Sequence, residues 1–122
     1  MDPVLNFKEV ESGIESAWEG YLTIPYVSEW KQKLLQIKTK PGSLWNIDLS
    51  SIQRIDTAGI QFLLFLKKYA SDKNFQLKLN NHSLPVLKSI DLLGLVNHFG
   101  DKIKIKKEYA SELTFAYGTK KN

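Results

Sequence analysis

The sequence predicts an α/β protein, with a mainly parallel sheet of four to five strands and helices packed on it. Three observations point there. Segments of period-two alternation take turns with segments of helical spacing, in the order strand, strand, helix, strand, helix, strand, helix, strand. Strands joined through a helix pair parallel, because a crossover of roughly a dozen residues or more returns the chain to the same end of the sheet. A chain of 122 residues with 43% hydrophobic and 25% charged side chains suits one domain that buries a core without staples.

The elements follow in order. Leu5, Phe7 and Val10 alternate, Glu11-Ser12-Gly13 punctuates, and residues 14–24 read as a second extended segment, so the chain opens with a hairpin. Between Tyr26 and Lys38 the apolar positions Val27, Trp30, Leu34 and Ile37 follow helical spacing, with Leu35 beside them. Residues 39–43, TKPGS, stop that helix and turn the chain. Leu44 to Leu49 is a short strand, and residues 48–56 are expected to form a loop. A second helix runs from Thr57 to about Ala70.

Phe75, Leu77 and Leu79 alternate with Gln76, Lys78 and Asn80, a strand with one wet face. Pro85 suits the first turn of a third helix, whose stripe is Val86, Leu87, Ile90 and Leu93 and which Gly94 closes. Lys102 to Lys106 alternates as a final strand near an edge. The expected domain is 1–106. Residues 107–122 form a tail, either docked as a helix through Tyr109, Leu113, Ala116 and Tyr117 or disordered.

Composition narrows the function. Without cysteine there is neither a disulfide framework nor a thiolate metal site. The N-terminal residues lack an apolar leader region and no window is apolar enough to insert in a membrane, so a cytoplasmic protein is expected. The net charge of +4 gathers late in the chain, around Asp101 to Tyr109 and in the last residues. It reads as a lysine-guarded edge and a polar tail rather than a nucleic-acid surface, since no recognition motif accompanies it. His82 and His98 stand in no ligand spacing and are expected at the surface or in loops; no metal and no cofactor is expected. Neither a nucleophile elbow nor a phosphate-binding glycine loop occurs, so no catalytic residue is assigned. Trp18, Trp30 and Trp45 read as core or rim aromatics.

The most informative stretch is IDLSSIQRIDTAGIQFLLFLKKYA, residues 47–70. A hydroxyl, Thr57, stands between Asp56 and Ala58-Gly59 at the mouth of a very apolar helix. Steps of about 100° per residue put Gly59, Phe62, Leu63, Leu66 and Ala70 on one face, toward the sheet. Thr57, Ile60, Gln61, Leu64 and Lys68 fall on the other side, near Phe65. Apolar residues on that outward side predict a binding strip, unless a neighbouring helix covers them. Asp56 and Thr57 also suit plain N-capping.

This stretch resembles the STAS family, the anti-sigma factor antagonist domain. IDLS (47–50) is similar to the family's central strand, RIDTAGIQFLL (54–64) to its phospho-switch motif, and LLGL (92–95) to the end of its third helix. NHSLPVLKSIDLLGLVNHFGD (81–101) resembles stand-alone STAS proteins associated with signalling or chemotaxis. The Asp-Thr-small-Gly form also resembles STAS subunits of bacterial phospholipid-trafficking ABC transporters.

The resemblance implies the STAS fold and a non-catalytic bacterial regulator that works by partner switching. The partner would be a switch kinase or anti-sigma factor, released by phosphorylation of Thr57. The implied docking surface is Asp48, Ser50, Ser51, Asp56, Thr57, Ala58, Gly59, Ile60, Gln61 and Leu64, with Ser50 and Ser51 as secondary phosphosite candidates. Gly59 would leave room for a partner's backbone. The alternative is a cytoplasmic transporter subunit in which Thr57 contacts an ATPase. A third hypothesis, apart from the resemblance, is a nucleotide-binding or hydrolysing module.

Overall fold

The structure is a computed structural model and describes residues 2–92 and Gly94. The expected strand at 102–106, His98 and the tail lie outside the described residues.

Strands β1 (Val4–Val10) and β2 (Gly13–Leu22) form the opening hairpin, antiparallel with Leu5 opposite Trp18 and Val10 opposite Gly13. Gly13 sits at φ +152°, and a side chain there would run into the Leu44 backbone. Helix α1 (Ile24–Leu35) leads to β3 (Leu44–Ile55), α2 (Thr57–Asp72) to β4 (Gln76–Asn80), and α3 (Leu84–Leu92) follows. The sheet order is β1-β2-β3-β4, with β2, β3 and β4 mutually parallel. Right-handed crossovers that advance in one direction place α1 and α2 on the same face.

Alternation then decides what is buried. Ile14, Trp18 and Leu22 of β2, Trp45, Ile47 and Leu49 of β3, and Leu77 and Leu79 of β4 point into one core with the helices. Ile14 lies opposite Trp45, which lies opposite Leu77, so the buried rows align across the strands. The other face carries a polar row: the Asn46 amide donates to Glu15 at 3.0 Å and the Asn80 amide donates to Asn46 at 3.1 Å.

All three tryptophans are core residues. Trp18 and Trp30 stack at 4.9 Å between centroids, and Trp30 Nε1 donates to the Tyr21 carbonyl. Trp45 Nε1 donates to the Ser16 hydroxyl, which donates in turn to the Asn46 carbonyl, so this buried serine is satisfied.

Four expectations change. First, α1 runs Ile24–Leu35 and not Tyr26 to Lys38: it begins two residues earlier because Thr23 takes the extended N-cap conformation and Pro25 fits the first turn, and it ends at the Gln36 C-cap, leaving Ile37 beyond it. Second, residues 48–55 are strand and not loop. Asp48 pairs with Ala17 but Ser51 with Glu19, and Ile52 pairs with Gly20 but Arg54 with Tyr21, so β3 carries two extra residues. Each bulge stretches the buried spacing from two to three, giving Leu49, Ile52 and the half-buried Ile55. Third, His82 is buried, only 6% exposed. Fourth, Ile60 is a core residue. Pro85 and Gly94 stand as expected, with Gly94 at φ +67° donating its N–H to the Asp91 carbonyl.

Candidate functional site

Thr57 is the first residue of α2 and is exposed. The residue before it holds the local geometry. Asp56 is the N-cap, extended at φ −127°, and its Oδ1 accepts the Gly59 N–H at 3.0 Å. Its other oxygen does something sequence spacing does not reveal. Oδ2 accepts the Ile24 N–H at 2.9 Å, across 32 positions. Ile24 opens α1, whose own N-cap Thr23 makes no side-chain cap bond. One carboxylate therefore caps two helices and fastens their first turns together, and its charge suits the positive ends of both.

Gly59 is buried, and the backbone beside it belongs to this chain. A Cβ added at Gly59 would overlap the Leu22 carbonyl oxygen and lie 2.8 Å from Ile55 Cγ1. Glycine lets α2 rest on the end of β2; it is not a gap for a partner. Ile60 is 1% exposed and is likewise unavailable for contact. The buried arc of α2 is Gly59, Ile60, Phe62, Leu63, Leu66 and Ala70.

The exposed arc is Thr57, Gln61, Phe65 and Lys68, with Ala58 and Leu64 half-buried and Leu64 packed against the core. Phe65 is 38% exposed and stacks between Phe62 and Tyr69.

Asp48, Ser50 and Ser51 form a separate group. Extended backbone rises about 3.3 Å per residue, so Asp48 lies on the order of 20 Å from Asp56. Ser50 is skipped in the pairing with β2, and Asp48 compensates: its Oδ1 accepts the Ser50 N–H at 2.8 Å and the Ser50 hydroxyl at 2.6 Å. Asn81 Nδ2 donates to Oδ2 at 2.9 Å. Partial burial pushes the Asp48 carboxyl toward its neutral form, but these bonds from Ser50 and Asn81 outweigh it and hold the pKa below its ordinary value. The group secures a bulge. Ser51 is exposed beside it.

Two features of the Thr57 end were not read from sequence. Ile24 is 71% exposed beside the Asp56 cap; the Thr23-Ile24-Pro25 run was its signal, since proline favours a helix's first turn. Arg54 lies over the Tyr21 ring at 5.4 Å, and Tyr21 meets Tyr26 edge-on, which lends the strand ends a cationic, aromatic border.

A model of the family described as Mlab, STAS domain, matches residues 17–103. The match covers β2 from Ala17, both parallel crossovers and α3, and contains Asp56-Thr57-Ala58-Gly59 whole. A search of curated proteins gives no match. Among the described residues no helix is long and apolar enough to cross a membrane.

Proposed function

The chain belongs to the STAS domain family, and on that premise we propose that it is a non-catalytic regulatory module that binds another protein through the Thr57 end of α2. The partner is a switch kinase or anti-sigma-type protein, and phosphorylation of Thr57 releases it. One observation supports this above all: the single hydroxyl of the motif is exposed on a helix's first turn, while its neighbours Gly59 and Ile60 are committed to the core.

The chemistry of release follows from position. A phosphate adds about −1.5 to −2 charges. At residue 57 it meets the N–H groups of α2, which favour it, and the Asp56 carboxylate next to it, which does not. A partner packed over Gln61, Leu64 and Phe65 would have to desolvate that charge. Incubation with a serine kinase of the switch type and ATP, followed by peptide mapping, tests the reading. Label on Thr57 supports it; label confined to Ser50 or Ser51 defeats it.

The Asp-Thr-Ala-Gly form, with threonine in the hydroxyl position, supports a second reading: a STAS subunit of a phospholipid-trafficking ABC transporter. There Thr57 contacts an ATPase and need not be phosphorylated. Co-purification with an ATPase rather than a small kinase selects it.

A further inference from the structure

The helical layer presents a second feature beside Thr57. Helices α1 and α2 each follow a parallel strand, so they run side by side in the same direction, with their first turns joined at Asp56. Farther along, the Lys31 ammonium lies 4.8 Å from the Phe65 ring centroid, so the side of α1 that bears Lys31 faces α2. Residues seven and eleven positions apart return to the same side of a helix. Ile24, Lys31 and Leu35 therefore line one seam with Phe65.

Three of the exposed large apolar side chains among the described residues lie on that seam. Ile24 is 71% exposed, Leu35 43% and Phe65 38%. The other exposed large apolar side chains among the described residues are dispersed, with Val4 and Phe7 on β1 and Leu92 at the end of α3. The charge on the seam is basic at its centre. Lys31 is pinned on the aromatic ring, while Glu29 falls on the far side of α1 by helical spacing. Among the described residues Lys68, on the outward side of α2, makes a weak exposed pair with Asp72 at 3.5 Å.

We infer that the seam between α1 and α2 is a groove for an acidic amphipathic helix of another protein. Its apolar side chains rest on Ile24, Leu35 and Phe65, and a carboxylate meets Lys31. This deepens the docking reading above and rests on it. The distance from Ile24 to Leu35, eleven steps of about 1.5 Å, spans roughly three turns, which is the reach of a helix anchored at positions i, i+4, i+7 and i+11. Lys31 is already ordered by its ring, so little side-chain freedom remains to be lost when a carboxylate arrives. A second copy of this chain is a poor occupant: a two-fold pairing about the seam's centre would set Lys31 against its own equivalent.

The test places a photo-crosslinking p-benzoylphenylalanine at Leu35 in the full chain in its native cells, with the same residue at Lys78 on the opposite sheet face as control. Adducts are mapped by mass spectrometry. The groove predicts an adduct at 35 and none at 78, on a segment of another protein with three- and four-residue apolar spacing and Asp or Glu between. Lys31→Glu should lower its yield roughly tenfold and Lys31→Arg should retain it, with both variants melting like the unsubstituted chain.

An adduct to a second copy, to this chain's own residues or to a basic segment overturns the groove. So does no adduct at 35, or an undiminished yield from Lys31→Glu. The two readings fail separately. An adduct at 35 that survives Thr57→Glu refutes the phospho-switch and keeps the groove. A partner whose binding depends on Thr57 but leaves no adduct at 35 does the reverse.

Discussion

Asp56 is the residue on which the helix-rich end turns. Its capping of α2 is local and therefore legible in the order Asp-Thr-Ala-Gly. Its bond to the Ile24 N–H is made through space and leaves no local pattern. The two roles separate by substitution. Asp56→Ala leaves two N–H groups without their acceptor and is expected to cost about 2 kcal/mol, lowering the melting temperature by several degrees. Asp56→Asn keeps one acceptor oxygen and should fall between. Thermal denaturation of both variants checks this, and equal loss from Asn and Ala would mean that one of the bonds contributes nothing.

Gly59→Ala should destabilise by about 1–3 kcal/mol in urea titration, because its Cβ meets a strand carbonyl that cannot yield like a side chain.

Asp48 supplies a pH dependence. Its folded pKa lies below its ordinary value of 3.8. Its contribution is therefore complete above about pH 4, and it is lost as the pH falls below that value and through the folded pKa. Unfolding of Asp48→Asn and the unsubstituted chain, followed from pH 6 to pH 2, should show a stability gap that narrows only at the acid end.

At the scale of elements, the helices were the most legible and β3 the least. Thr57 to Ala70 carries its own start signal and a long apolar stripe, and the helix found, Thr57–Asp72, differs only at its end. Strand β3 hid its second half because two bulges break the alternation by which a strand is recognised, and because Ser50 and Ser51 look like turn residues. Amide hydrogen exchange separates strand from loop. Backbone amides of residues 51–55 bonded to β2 should exchange at least about tenfold more slowly than those of Thr39 and Lys40 in the turn.

The outward strip was legible in outline, but of its two apolar residues Ile60 is buried and Leu64 is half-buried against the core. Ile60 and Leu64 fall at the edge of the buried arc, and neighbouring helices α1 and α3 together with the sheet bury a wider arc than the sheet alone does. Leu64→Asp is therefore expected to cost stability, since Leu64 packs on the core. Gln61→Asp is the cleaner probe of docking, and it should weaken partner binding while leaving the melting temperature within a degree or two.

At the scale of the whole molecule, an aromatic chain ties the helices to the sheet. It runs Trp30, Trp18, Phe62, Phe65, Tyr69, Phe75 and Trp45, each pair 4.9 to 6.3 Å apart. Most of it is core, and Phe65 is where it reaches the surface, beside the proposed groove. The order of elements was readable because parallel crossovers leave a rhythm in the sequence that survives local errors at element ends. The juxtaposition of Ile24 with Asp56, and of Lys31 with Phe65, was not readable, because it depends on how two helices lie side by side on the sheet.

The central claim is that negative charge at position 57 makes a bound protein let go. The most direct measurement is affinity purification of the full chain as Thr57→Ala and Thr57→Glu, with quantitative mass spectrometry of what each retains and a melting curve for each. A protein retained by Thr57→Ala and by the unsubstituted chain, but depleted roughly tenfold from a well-folded Thr57→Glu, is the predicted result. Equal recovery of that protein from all three would contradict the account.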